Sequence, residues 1–233
     1  MVIKNRFLAI TLPQSWTGAT DAVVVSVEYR CPPEVQGARI VNDCYAGLCW
    51  VNEHIQELRV YPERTMVAGW SGGGSLAAGT ALFARDRKGR KLRAQFLVCP
   101  ILDDRNTTTS SKQCSSLGTW SRESNEMAWR AVLGGRAGKD GVDYYASPAC
   151  AEELSGLLTT FIIVGSAEVF RDECISCATK LWAAGVQADL RVYGGGFHAF
   201  EAVAPHSRLT VQTDAARLDW VKGIFGPSKN EQQ

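Results

Sequence analysis

The chain has 233 residues, of which 45% are hydrophobic, enough to build one large domain around a sizeable core. Its charges nearly balance, with 25 basic against 24 acidic residues, so nucleic acid and acidic surfaces are not expected as partners. No apolar run is long enough to span a membrane, and the apolar stretch 7–12 is too short for a signal peptide. We therefore expect no stable membrane anchor.

The cysteines also limit the class of protein. Eight scattered cysteines in a chain of this length do not predict a disulfide framework, and several lie in apolar contexts that suit buried thiols. Cys174 and Cys177 form a single CxxC pair in a helical pattern, without the second pair or the histidine that a zinc site needs. We expect no metal, a reducing interior and a cytoplasmic location.

Short β-branched runs predict strands, and segments with a period near 3.6 residues predict helices. In chain order the predicted elements are a strand at 22–29, a helix at 40–58, a strand at 65–69, a helix at 75–85, a strand at 94–99, a strand at 160–165, a helix at 173–184, a strand at 188–193 and a helix at 213–224. Because the strands are apolar throughout, both faces of the sheet should be covered and the strands parallel. This order predicts an α/β fold, a three-layer α/β/α sandwich with a mostly parallel sheet.

Residues 103–153 interrupt this alternation. The segment is rich in Ser, Thr, Asn and Gly and is too long for an ordinary connection. We expect a small cap-like insertion with its own helices over one end of the sheet, within a single domain that spans residues 1–233. Trp120 and Trp129 either line the pocket beneath this insertion or anchor the insertion to the core, and both interpretations stay open.

Ser71 lies in the motif Gly69-x-Ser71-x-Gly73, directly between a predicted strand and a predicted helix. A sharp turn at that point lifts the hydroxyl above the sheet, and the glycines let the backbone pass. The amide of Gly72, at the start of the helix, can then point at a developing oxyanion. A phosphate loop would need a lysine after the glycines, and residues 74–76 offer none. The pattern therefore predicts a nucleophilic serine.

A serine nucleophile needs a base, and the chain has three histidines. His198 follows the last predicted strand, on a loop at the sheet edge where Ser71 should also emerge. His54 lies within a predicted helix and His206 in a polar loop. The position at the shared edge favours His198.

The acid that orients the histidine should follow the preceding strand. Glu168 lies three residues after Gly165, in the loop itself, whereas Asp172 and Glu173 begin the next helix, where acids are favoured regardless of catalysis. We favour Glu168 and keep Asp172 as the alternative. The chain order serine, acid, histidine is that of the α/β-hydrolases.

Several motifs together resemble the hormone-sensitive-lipase-like branch of the α/β-hydrolases, known as α/β-hydrolase fold-3, over about residues 22–220. The matching segments are VSVEYR at 25–30, PE at 33–34, DCYAGLCW at 43–50, GWSGG at 69–73, DDRN at 103–106, YASP at 145–148, LSGL at 154–157, EVFRDE at 168–173 and GGFHAF at 195–200. Trp70 departs from the family pattern, which usually has an acid before the serine.

The resemblance implies hydrolysis of carboxylic esters without metal or organic cofactor, and an apolar pocket under a small lid favours short to medium acyl groups. Ser71 would be the nucleophile, His198 the general base and then acid, Glu168 the group that orients His198, and Gly72 an oxyanion donor. The implied partner is a small-molecule ester, and we leave a homodimer open. The alternative is a catalytically impaired binding or scaffold protein that lacks a complete oxyanion hole.

The N-terminal part departs from this family. The family carries a His-Gly-Gly-Gly oxyanion loop upstream of the segment that ends at Tyr29, and no such glycine run occurs before Tyr29 in this sequence. The resemblance implies that the first strands are absent, including the one expected between the strands at 22–29 and 65–69. Residues 1–18 resemble the helix after that loop more than a strand at 2–12. We therefore expect the chain to be poorly soluble or weakly active, and the upstream DNA to encode the missing segment.

Overall fold

The computed structural model of the protein describes residues 1–2, 6–8, 10–89, 91–116 and 118–226. Within this part of the chain, four parallel strands form one sheet in the order β1-β2-β3-β4. The strands are β1 (Met66–Trp70), β2 (Ala94–Val98), β3 (Thr159–Gly165) and β4 (Ala188–Tyr193). The predicted α/β fold with a parallel sheet is confirmed, and each of these four strands lies within one residue of its predicted position at either end.

Helices precede, connect and follow these strands. They are α1 (Thr11–Thr20), α2 (Arg39–Glu53), α3 (Ile55–Leu58), α4 (Gly72–Asp86), α5 (Thr109–Gln113), α6 (Arg122–Leu133), α7 (Arg171–Ala183), α8 (Phe200–Val203) and α9 (Arg208–Phe225). Short 3-10 helices lie at Pro62–Arg64, Gly134–Arg136 and Pro148–Cys150. Among the described residues, no helix has both the length and the apolar character that a bilayer crossing requires.

Alternation along β2 divides the core into two layers. Leu97 packs in the cluster that contains residues of α2, α4 and α7, whereas Phe96 and Val98 pack with Trp16 of α1 and Val221 of α9. Every residue of β2 is buried. A strand that is covered on both faces favours apolar side chains on both sides. This is why the strand sequences are nearly continuous apolar runs and do not alternate between apolar and polar residues.

The predicted strand at 22–29 is wrong. Residues 22–30 have no regular secondary structure, and among the described residues β1 is the edge strand of the sheet, with β2 as its one neighbour. The valine run 23–25 is exposed by 51%, 36% and 41%. A run with strand composition becomes a strand only when a neighbour accepts its hydrogen bonds, and no described strand lies beside this run. The segment instead reaches α2, where Arg30 forms a two-pronged ion pair with Asp43.

The predicted helix at 40–58 is broken at His54, between α2 and α3. The backbone of His54 departs from helical geometry (φ −109°, ψ 21°), and the Nδ1 atom of its ring lies 2.8 Å from the carbonyl oxygen of Trp50. At the N-terminus, α1 agrees with the helical character expected for residues 1–18. Part of the strand considered at 2–12 lies outside the described residues.

The segment predicted as an insertion contains α5, α6 and two of the 3-10 helices. Trp129 of α6 is 1% exposed and belongs to the main core cluster, so this tryptophan anchors the segment to the sheet. Trp120 lies in the loop before α6 and remains partly accessible. The two tryptophans, which sequence alone could not distinguish, therefore differ in environment.

Candidate active site

Ser71 occupies a tight turn between β1 and α4. Its backbone has φ 53° and ψ −119°, a conformation that non-glycine residues seldom adopt and that stores strain. The Ser71 N–H continues the ladder between β1 and β2 by donating to the carbonyl oxygen of Val98 at 2.8 Å. A Cβ atom at Gly69 would lie 2.0 Å from the carbonyl oxygen of Gly73, so the turn requires glycine at position 69. This geometry presents the serine hydroxyl at the carboxyl edge of the sheet.

Gly72 begins α4 immediately after the serine. As the first helical residue it presents an N–H group that the helix itself does not use, and the helix dipole adds positive character there. The residue is buried, and a Cβ atom at this position would lie 2.1 Å from the backbone nitrogen of Met1. Gly72 therefore offers a hydrogen-bond donor beside the Ser71 hydroxyl.

His198 joins the serine to an acid. Its Nε2 atom lies 3.0 Å from Ser71 Oγ, and its Nδ1 atom lies 2.7 Å from Glu168 Oε2. His198 is 7% exposed and Glu168 is 2% exposed, so solvent screens both contacts only weakly. The structure thus brings together the three side chains that the sequence analysis assigned as nucleophile, base and acid.

The second oxygen of Glu168 is held by the backbone. Glu168 Oε1 accepts a hydrogen bond from the N–H of Gly165 at 2.9 Å, at the end of β3. A carboxylate has no proton to donate, so the histidine Nδ1 carries the hydrogen of the 2.7 Å contact. In neutral imidazole this leaves the Nε2 lone pair free to accept the Ser71 hydroxyl proton. The local backbone therefore fixes the acid, and the acid fixes the tautomer of the histidine.

The alternative acid, Asp172, lies in the first turn of α7 and has other partners. Its Oδ2 accepts the backbone N–H of Ser110 at 2.7 Å, and its Oδ1 accepts from Arg171 Nε at 2.7 Å. Burial alone would raise the pKa of Asp172, but the hydrogen bonds and the charge of Arg171 outweigh burial and lower it. The carboxylate therefore joins α7 to the start of α5 and is not placed to orient His198.

We expect Asp172→Asn to destabilise the protein without a selective loss of catalysis. The loss of a charged acceptor for the first turn of α5 should reduce the free energy of unfolding by about 0.5–2 kcal/mol. Urea denaturation measures the free energy, and ester hydrolysis by the folded variant measures the catalytic effect. If turnover falls further in Asp172→Asn than in Glu168→Gln, our assignment of the acid is wrong.

Aromatic side chains surround the His198 ring. Phe170 packs edge-on against it with ring centroids 5.1 Å apart, and the Trp120 ring lies 6.2 Å away. The hydroxyl of Thr119 donates to the backbone carbonyl oxygen of His198. The sequence analysis did not predict roles for Thr119 and Phe170. The contacts of Thr119 and Trp120 connect the segment before α6 to the loop that carries His198. This segment therefore forms part of the wall of the site.

The other two histidines are not part of this arrangement. His54 stacks on Trp50 with centroids 4.2 Å apart, at the break between α2 and α3. His206 lies in the turn between α8 and α9. Both placements agree with the preference for His198.

Comparison with known proteins gives one family and many relatives. A family model described as alpha/beta hydrolase fold matches residues 2–202. Carboxylic ester hydrolase LipN of Mycobacterium tuberculosis is 34% identical over 190 residues, which cover 77% of this chain and 49% of LipN. An arylesterase of Saccharolobus solfataricus is 29% identical over 207 residues, which cover 88% of this chain and 67% of the arylesterase. The chain thus spans about half to two thirds of the length of these relatives.

Solved structures agree with these relatives. A bacterial heroin esterase superposes with a TM-score of 0.83 at 35% identity, covering 86% of this chain and 64% of the other. Esterase LipW from Mycobacterium marinum gives a TM-score of 0.82 at 31% identity, covering 88% and 63%. The fold is therefore shared with proteins named as esterases.

Proposed function

The chain belongs to the hormone-sensitive-lipase-like branch of the α/β-hydrolases, and from this premise we propose that it hydrolyses carboxylic esters through Ser71, His198 and Glu168. The observation that carries the proposal is the 3.0 Å contact between Ser71 Oγ and His198 Nε2, with Glu168 Oε2 at 2.7 Å behind the ring. A hydroxyl in contact with an oriented imidazole can be activated as a nucleophile.

In the acylation step, Ser71 Oγ attacks the ester carbonyl carbon while its proton passes to His198 Nε2. The carbonyl oxygen becomes an oxyanion facing the N–H of Gly72, and Glu168 stabilises the imidazolium that has formed. As the tetrahedral intermediate collapses, the C–O bond to the leaving group breaks and the imidazolium gives its proton to the departing alkoxide. Water then attacks the acyl-serine by the same route, releasing the carboxylic acid and restoring the Ser71 hydroxyl.

Gly72 is the oxyanion donor that we assign among the described residues. Loss of one donor from an oxyanion hole typically costs about 10²–10³ in rate. We therefore expect turnover well below that of an enzyme with two donors or more. This expectation affects the size of the activity and leaves the roles of Ser71, His198 and Glu168 unchanged.

The wall near His198 suits a small acyl group. Trp120 and Phe170 present apolar surface beside the ring, and the segment containing α5 and α6 covers this end of the sheet. Such a covered apolar site favours short to medium acyl chains over long ones, because a long chain would leave apolar surface in water.

We expect a series of nitrophenyl esters to give the highest kcat/KM at short to medium acyl length. The measurement is initial-rate hydrolysis from acetate to palmitate under one set of conditions. Trp120→Ala should change this length preference, because its side chain forms part of the wall. A maximum at the longest chains would contradict the proposed substrate class.

Hydrolysis of nitrophenyl butyrate by the purified chain tests the proposed function itself, with Ser71→Ala as the background. Turnover that exceeds this background supports a serine esterase. A folded protein with the same rate as Ser71→Ala would contradict esterase function and favour a binding or scaffold role for the pocket.

A further inference from the structure

Cys99 lies directly behind the catalytic side chains, although the proposed reaction does not use it. It follows β2, is 4% exposed and has a left-handed backbone with φ 36°. Its Sγ atom, a carboxylate oxygen of Glu168 and a ring nitrogen of His198 all lie within 4.8 Å of one another. All three residues are buried. A thiol, a carboxylate and an imidazole are thus concentrated at one point of the fold.

Trp70 and Ala199 lie close to this thiol. Burial raises the pKa of Cys99 well above its usual range, so Sγ carries its proton at neutral pH. Glu201, another carboxylate nearby, is already paired with Arg217. The donor atoms available for an incoming ion are therefore those of Cys99, Glu168 and His198.

We propose that Zn²⁺, or another thiophilic divalent ion of similar size, binds between Cys99 Sγ, a Glu168 oxygen and His198 Nδ1 and thereby inhibits the esterase. Sulfur, oxygen and imidazole nitrogen are the three ligand types that protein zinc sites use. Zinc bonds of about 2.0–2.3 Å require ligand atoms about 3.3–3.8 Å apart. The 2.7 Å contact between His198 and Glu168 must therefore open slightly, and Cys99 must approach, as the ion binds.

The ion would act on the tautomer of His198. Cys99 loses its Sγ proton to solvent as the sulfur binds the metal. The metal also replaces the hydrogen on His198 Nδ1, and the single proton of the neutral ring then lies on Nε2 instead. A protonated Nε2 cannot accept the Ser71 hydroxyl proton, so attack on the ester stops. When the ion is removed, the sulfur takes up a proton from solvent, the ring proton returns from Nε2 to Nδ1, and activity returns.

The ligand set also predicts which ions act. A thiolate ligand selects Zn²⁺, Cd²⁺ and Co²⁺, whereas Mg²⁺ and Ca²⁺ prefer oxygen ligands. Zn²⁺, Cd²⁺ and Co²⁺ should therefore inhibit, and Mg²⁺ and Ca²⁺ at the same concentration should not. A hydroxyl is a poor ligand for these ions, so Cys99→Ser should remove the effect while keeping a polar group of similar size at this position.

The activity arm of the test rests on the proposed esterase function. The full chain is freed of metal and incubated with increasing ZnCl₂ until its hydrolysis rate is constant, and each variant is compared with its own metal-free rate. We expect reversible inhibition that a chelator removes, and at least about a tenfold higher half-inhibitory concentration in Cys99→Ser. Cys177→Ser is the matched control, because Cys177 lies in α7 outside this cluster, and it should keep the sensitivity of the unmodified protein.

A second arm measures binding without activity. Co²⁺ bound to a thiolate gives a sulfur-to-metal charge-transfer absorption, which we expect in the unmodified chain and in Cys177→Ser but not in Cys99→Ser or Cys99→Ala. Circular dichroism establishes that the variants are folded. If the chain hydrolyses no ester, this arm alone decides the proposal. Equal Zn²⁺ inhibition in Cys99→Ser and the unmodified chain, or an unchanged Co²⁺ band in both Cys99 variants, would overturn it.

Discussion

Ser71→Ala should lower kcat/KM for a short-chain nitrophenyl ester by about 10⁴–10⁶-fold and leave the fold intact. The substitution removes only the hydroxyl group of Ser71, whose Oγ atom lies 3.0 Å from His198 Nε2. The proposed acyl-enzyme forms on this oxygen. Residual activity would come from the remaining donor and from binding. Steady-state kinetics measures the loss, and circular dichroism with urea denaturation establishes that the variant is folded.

Ser75→Ala is the matched control for that experiment. Ser75 lies in the first turn of α4 and is 1% exposed, so both variants remove one hydroxyl from the same short segment. Ser75→Ala should retain turnover of the same order as the unmodified chain, because its hydroxyl does not contact His198 in the structure. Comparable losses in the two variants would point to damage of the turn and would contradict a specific role for Ser71.

Glu168→Gln should reduce turnover by about 10⁴-fold, the effect known for the equivalent acid-to-amide change in a serine protease triad. The glutamine amide can donate a hydrogen bond to Nδ1, and this favours the tautomer with its hydrogen on Nε2, which cannot accept the serine proton. Loss of the charge also removes stabilisation of the imidazolium. The reduction should appear in kcat more than in KM, because Glu168 does not contact the substrate.

Glu173→Gln is the control for the acid. Glu173 of α7 is also a buried glutamate, and its Oε1 accepts the backbone N–H of Leu102 at 2.7 Å. Burial raises the pKa of Glu173 well above its usual range, and the side-chain oxygen of a glutamine can accept the same N–H of Leu102. Turnover in Glu173→Gln should stay near that of the unmodified chain. An equal loss in both variants would show that the effect of Glu168→Gln comes from disturbing the buried loop.

The strands show how far local sequence predicts this fold. Strands β1 to β4 follow their apolar runs closely because each lies beside another strand and between layers of helices. The run at 22–29 has the same composition but no ladder partner, and its valines are exposed. The composition of a segment indicates whether its residues suit a strand. Whether the strand forms depends on a neighbouring strand that can accept its hydrogen bonds.

The candidate site divides in the same way. Ser71, Glu168 and His198 could be predicted because each lies in a motif that follows a strand, and parallel strands bring such positions to one edge. Cys99 reaches the same place without any local pattern that marks it, and the sequence left open whether Trp120 lines the site or anchors the insertion. Their proximity to His198 follows from the ends of β2 and the segment before α6, which only the folded chain brings together.

Covalent labelling at Ser71 tests the central claim most directly. The folded chain is incubated with a fluorophosphonate, digested, and analysed by mass spectrometry to locate the phosphonylated residue. We predict a single adduct on Ser71, competed by nitrophenyl butyrate, strongly reduced in Glu168→Gln and absent in Ser71→Ala. A folded chain that takes up no probe, or one labelled equally in Ser71→Ala, would contradict the claim that Ser71 is a nucleophile activated by His198 and Glu168.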